Sequence, residues 1–194
     1  MSARHVNVGV RISTSNAALA GQFERALEFW SQVLDLDWHE VNSTDCSLQL
    51  VDGTPSIFNW CACMSARSQL PDHPAFQGWI AFNPSLKLSK REMFLDSVHE
   101  IGHLLGLTHN PSDASVMYFF GLEKAASLDY ADLNLLATKH ALRPGILGGH
   151  GLTEIPVNAP RGNTWLRRAF SFAPSKHAWA GTAGVSADAL ARAE

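Results

Sequence analysis

The sequence predicts an α+β domain, and three observations carry that assignment. Short segments with apolar residues at period two mark strands. A stretch from Ala17 to Leu34 with apolar residues at helical spacing marks a long amphipathic helix. A second helix starts at Ser89-Lys90-Arg91-Glu92 and carries His99-Glu100-Ile101-Gly102-His103, a pattern with chemistry as well as structure in it.

Val6-Asn7-Val8-Gly9-Val10-Arg11-Ile12 alternates as a half-buried strand does. Leu19, Phe23, Ala26, Leu27 and Trp30 share one face of the first helix. Asp37 to Val41 and Ser47 to Val51 follow as strands, parted by the turn-prone Asn42-Ser43-Thr44-Asp45. Trp60 to Met64 and Gly78 to Phe82 bring the strands to five, with Gln69 to Pro74 as a loop between them. Ser89 and Glu92 form a capping box, each satisfying an orphan backbone donor of the second helix. Met93, Phe94, Ile101, Leu104 and Leu105 give that helix apolar surface to bury. A last helix is expected from near Ser127, through Leu128, Leu133, Leu135 and Leu136, towards Leu142, where Arg143-Pro144-Gly145 stops it.

Composition bounds the function classes. A chain of 194 residues with 46% hydrophobic and 17% charged residues is long enough for a sizeable core. Its net charge of −3 argues against a nucleic-acid or anionic-membrane role, and no apolar run is long enough for membrane insertion. Met1 to His5 lead straight into a strand pattern without the features of a signal peptide, which leaves the compartment open. Cys46, Cys61 and Cys63 do not make a disulfide framework. Cys61 and Cys63 alternate along an expected strand, share a face and are poorly placed to bridge each other, so free thiols are expected.

The decisive string runs from His99 to His109 and reads H-E-x-x-H-x-x-G-x-x-H. His99 and His103 lie four apart, so a helix points both imidazoles at one metal. Gly106 can take a positive φ, end the helix and turn the chain so that His109 becomes a third ligand. Three neutral imidazoles with one open position describe a catalytic zinc site rather than a closed structural one. Glu100, next to the first ligand, can reach water at the metal without being a ligand itself. Ser115-Val116-Met117-Tyr118 comes next in the same loop.

The run HEIGHLLGLTHNPSDASVMY, His99 to Tyr118, resembles the zinc helix and Met-turn of metzincin metalloproteases, and among these the matrixins (matrix metalloproteinase catalytic domains). Met117 lies eight residues after His109, the matrixin interval. The likeness extends more weakly over about residues 5 to 142. It implies a twisted, mainly parallel five-stranded sheet with an antiparallel edge strand, a long zinc helix, a Met-turn and a C-terminal helix. It also implies one catalytic zinc ion on His99, His103 and His109, with Met117 as an apolar floor beneath them. A protein or peptide would be hydrolysed with Glu100 as general base, in a secreted or extracellular setting.

In matrixins an extended peptide adds to the edge strand, which here corresponds to Trp60 to Met64, with Cys61, Ala62 and Cys63 facing substrate. Leu95 matches a position lining the S1′ pocket, Phe119, Phe120 and Gly121 would form its outer wall, and Tyr118 is a further substrate-binding candidate. Ordinary core packing is the competing reading of each.

Several residues depart from the family pattern. Asn110 stands where a Ser or Thr usually follows the third histidine, and Phe119 replaces the Pro that commonly follows Met-Tyr. Gly78 to Asn83 lacks a ligand for the family's structural zinc, and neither acidic calcium loops nor a cysteine-switch pattern is evident. Residues 1–143 are taken as the catalytic domain and 144–194 as an irregular extension packed on or near it, rich in Gly, Ala, Pro and Ser. An endopeptidase is the expected activity. The alternative is a zinc-binding but latent module whose cleft the extension fills.

Overall fold

Val8 and Val10 are fully buried on β1 (Val6–Ser13), while Asn7, Gly9 and Arg11 between and beside them are not. This alternation is what a strand with one face on a core requires. The structure is a computed structural model and describes residues 5–43, 46–59, 64–69, 78–119, 122, 127–146 and 154–157. In it β1 pairs in parallel with β2 (Leu36–Glu40) on one side and with β3 (Leu48–Asp52) on the other, setting Val8 beside Trp38 and Val10 beside Leu48. β3 continues in parallel to β5 (Gly78–Phe82), with Leu50 beside Ile80. β4 (Ala66–Ser68) closes that edge antiparallel to β5, with Arg67 opposite Ala81. The strand order is therefore β2-β1-β3-β5-β4, the expected mainly parallel sheet with one antiparallel edge.

The expected strand at Trp60 to Met64 falls almost wholly outside the described residues, and among the described residues the edge strand is β4. Trp60 to Cys63, including Cys61, Ala62 and Cys63, lie outside the described residues. The ladder against β5 is built by 66–68, which the sequence offered as neither strand nor turn. Its short length and its Arg67 hide a period-two signal. Cys46 is a free thiol, half-buried.

Helix α1 (Ala17–Val33) starts at Asn16, whose side chain accepts from the Leu19 N–H at 3.1 Å. Leu19, Phe23, Ala26, Leu27, Trp30 and Val33 form its buried stripe. That stripe packs against α2 (Lys90–Leu104), and α2 in turn lies against β4 and β5. The link between the helices is specific: the Trp30 indole Nε1 donates to the Val98 carbonyl at 3.1 Å, in the turn just before His99. The capping box of α2 is present in both directions, with Glu92 N–H to Ser89 at 3.2 Å and Ser89 N–H to Glu92 at 2.6 Å.

The last helix is shorter than its apolar pattern. α3 spans Tyr130–Lys139, because Asp129 caps it and makes a reciprocal capping box with Asp132. The preceding residues form β6 (Ser127–Asp129), which pairs antiparallel with β7 (Glu154–Pro156). At its other end the chain leaves the helix to bind the end of α1, through Asp35 N–H to Ala141 O and Arg143 N–H to Val33 O. β7 falls in the stretch taken as an extension, and Ile146 and Val157 there are buried. No helix among the described residues is long and apolar enough to cross a membrane.

Trp30 is among the largest fully buried side chains and joins α1 to α2. Trp30→Ala should therefore cost about 3–5 kcal/mol. Urea unfolding would show a lowered midpoint with an unchanged slope.

Candidate metal centre

The site begins at the end of α2. Gly106, with φ of +89°, lets the chain reverse, and two hydrogen bonds close the reversal: Gly106 N–H to His103 O and Leu107 N–H to Gly102 O, both 2.9 Å. This is the Schellman arrangement, with its glycine where only a left-handed conformation fits. His109 is thereby swung back over the helix face that carries His99 and His103. The His99 and His103 Nε2 atoms are 3.0 Å apart, those of His103 and His109 3.2 Å, and all three lie within 4.8 Å of one another.

Two of the rings are oriented by carbonyls. His99 Nδ1 donates to Val116 O at 2.7 Å and His103 Nδ1 to Leu107 O at 3.0 Å. A carbonyl can only accept, so the proton of each neutral ring sits on Nδ1 and its Nε2 carries a bare lone pair. His99 is held neutral: burial, helped by the neighbouring His103, lowers its pKa to about 3. Burial also lowers the pKa of His109. Lone pairs facing one another at 3.0 Å repel unless a cation lies among them. Tetrahedral ligands about 2.05 Å from one zinc would sit about 3.3 Å apart, close to these separations. The donor set therefore fits a zinc ion.

Glu100 is buried beside the triad. Burial raises its pKa, opposed chiefly by hydrogen bonds from the hydroxyl and backbone N–H of Ser68, with neighbouring His103 and Arg67 acting in the same direction. The carboxylate is thus tied to the edge strand β4. Leu95, one turn before His99, is buried. Phe119 is 57% exposed, its ring 6.3 Å from that of His109 and 5.0 Å from that of Tyr118. Phe120 and Gly121 lie outside the described residues.

Met117 is fully buried, and it approaches α2 where that helix has no side chain: a Cβ on Gly102 would stand 2.6 Å from Met117 Sδ and 3.3 Å from the Trp30 ring. The turn bearing Met117 is fastened on two sides. Val116 N–H donates to Ser127 O on β6, and Asn110 N–H donates to Met117 O, both at 2.8 Å. The Ser115 hydroxyl accepts from Met117 N–H at 2.9 Å and donates to Asp132 at 2.7 Å. Burial raises the Asp132 pKa, opposed by the donors Ser115 and Asn110 and by Asp129 N–H, and reinforced by the Asp129 charge.

A model of the Matrixin peptidase family matches residues 7–138. The chain belongs to the matrixin family. Rat (Rattus norvegicus) stromelysin-2 is 24% identical to it over 182 residues, covering 80% of this chain and 38% of that protein. Metalloendoproteinase 1-MMP of Arabidopsis thaliana is 32% identical over 111 residues, 50% of this chain and 30% of the relative. The matched region thus spans about a third of either relative's length. The family is one of peptidases, and three histidines of this chain, His99, His103 and His109, are placed so that they can hold a metal ion.

Sequence reasoning named the residues that converge, His99, Glu100, His103 and His109. It did not find Ser68, for which no motif exists. The pattern Asp129-x-x-Asp132 is a capping-box signal that could have been seen, and Gly102 is informative only once Met117 is known to face it.

Gly102→Ala should push the enclosed Met117 off its position. We expect a loss of about 1–3 kcal/mol in thermal or urea unfolding, together with weaker zinc binding by chelator competition. Asp132 has a folded pKa above its unfolded value, so the native state binds its proton more tightly and stability declines as pH rises from about 4 through the folded pKa. Urea unfolding of wild type and Asp132→Asn between about pH 4 and pH 7.5 should show the difference shifting in the variant's favour as pH rises, then levelling off.

Proposed function

We propose that this matrixin domain is a zinc-dependent endopeptidase that uses Glu100 as general base. The observation that supports this most is the convergence of three imidazole Nε2 atoms, with a buried carboxylate on the residue after the first of them. Zinc, when bound there, supplies a Lewis acid that polarises a carbonyl and acidifies water.

The chain's own residues supply the rest. His99, His103 and His109 would hold the ion, leaving one side open towards the cleft. Glu100 takes the proton of the attacking water and passes it to the departing amine, and its raised pKa suits it to hold that proton between the two transfers. Ser68 holds the carboxylate on the side of β4, the edge along which an extended peptide would pair. Met117 forms the apolar floor of a Met-turn, Leu95 lines the S1′ pocket, and Tyr118 and Phe119 border it; Phe120 and Cys61 to Cys63, outside the described residues, remain substrate-binding candidates from the sequence resemblance alone. Residues 1–143 would form the catalytic domain, and 144–194 would be an irregular C-terminal extension of the chain. An extracellular protein substrate suits what the family resemblance implies.

Zinc content and cleavage of a quenched fluorescent peptide library test the reading. Glu100→Ala should retain zinc and lose roughly 10²–10⁴-fold in turnover. Removing zinc with a chelator should abolish cleavage, and added zinc should restore it. Zinc in wild type without cleavage would replace the reading with a latent, metal-binding module.

A further inference from the structure

Among the three histidines, His109 is set apart. His99 and His103 have their rings oriented by a backbone carbonyl on Nδ1, whereas no described residue accepts from the His109 ring in this way, and His109 is exposed. Its position must come from the backbone that carries it. The next residue, Asn110, is 7% exposed and makes an unusual number of bonds. Its Nδ2 donates to Asp129 Oδ2 and to Asp132 Oδ1, both at 2.9 Å. Its Oδ1 accepts from Ser112 N–H at 2.9 Å, and its backbone N–H donates to Met117 O. Two carboxylates need donors and one N–H needs an acceptor, so the amide has only one orientation that satisfies them.

We propose that Asn110 is the positioning residue for the third metal ligand. The proposal rests on the zinc-site reading. One side chain ties the backbone beside His109 to the N-terminus of α3 and, through the shared Asp132, to Ser115 and the turn of Met117. The same network therefore sets His109 and the floor beneath all three rings. A Ser or Thr in this place, the usual matrixin residue, has a single hydroxyl hydrogen and could donate to only one of the two acids. An aspartate of the same shape would offer no donor and would add a third negative charge.

The test uses the full chain, with zinc affinity by chelator competition and the visible spectrum of the cobalt-substituted protein as readouts. Asn110→Asp, Asn110→Ser and Asn110→Ala are compared with wild type and with Leu136→Ala, a buried α3 variant outside the network. Asn110→Asp and Asn110→Ala should weaken zinc binding roughly 10–100-fold and alter the cobalt spectrum. Asn110→Ser should fall between them and wild type, while Leu136→Ala lowers the melting temperature without moving zinc affinity or spectrum. Asn110→Ser keeps the test usable should Asn110→Asp fail to fold. Unchanged zinc affinity and cobalt spectrum in all folded Asn110 variants would overturn the inference alone. Failure of wild type to bind zinc would overturn the site reading and the inference with it.

Discussion

Imidazole lone pairs aimed at one another repel, and this matrixin domain holds two of them in place by backbone carbonyls and brings a third back beside them. A helix alone brings two histidines together at a spacing of four, but it cannot supply a third ligand from the same side, because the next residues on that face climb away along the axis. The chain has to stop and double back within one turn. Gly106 makes that possible with its positive φ, and the two hydrogen bonds of the reversal tie the returning chain to Gly102 and His103 themselves. The helix end and the placement of the third histidine are thus one structural event.

The rings gain their orientation from carbonyls of the loop beyond the reversal. Leu107 accepts from His103 and Val116 from His99, so the tautomers of the two helical ligands depend on loop backbone that arrives later in the sequence. That backbone is fixed in turn by β6 and by the acids at the head of α3. A buried carboxylate is costly unless it accepts hydrogen bonds, and Asp132 accepts three, from Asn110, Ser115 and Asp129 N–H. Its desolvation cost is offset by ordering the turn on which Met117 sits. Helix α3, remote in sequence from the histidines, is therefore part of how they are held.

Much of this could be read from residues in order. The apolar stripe of α1, the Ser89–Glu92 box and the His99–Gly106–His109 spacing are local signals with local causes, and the structure has them where the pattern puts them. What escaped depends on partners far away in the chain. The apolar pattern from Leu128 onward looks helical, yet Ser127 to Asp129 are drawn into a ladder with 154–156, and the capping pair at Asp129 and Asp132 delays the helix. β4 is three residues long and has too little alternation to betray itself, so its Ser68 was invisible as a partner for Glu100. Asn110 looked like a departure from its family for the same reason: its two acids lie 19 and 22 residues further on.

The placement of Glu100 shows why a sequence neighbour of the first ligand is not redundant with it. One step along a helix rotates a side chain by about 100°, which takes Glu100 off the ligand face and towards β4. There it meets Ser68, whose hydroxyl and N–H both stabilise the charged form, while burial favours the neutral one. These opposing influences act on a carboxylate that is held from β4 and kept free of the histidine cluster's own face. A residue on the ligand face would lose that freedom to the metal, and a residue further round would be walled off in the core with Ile101. In the proposed mechanism proton transfer and metal binding would be separated by a single peptide unit, and the helix geometry would do the separating.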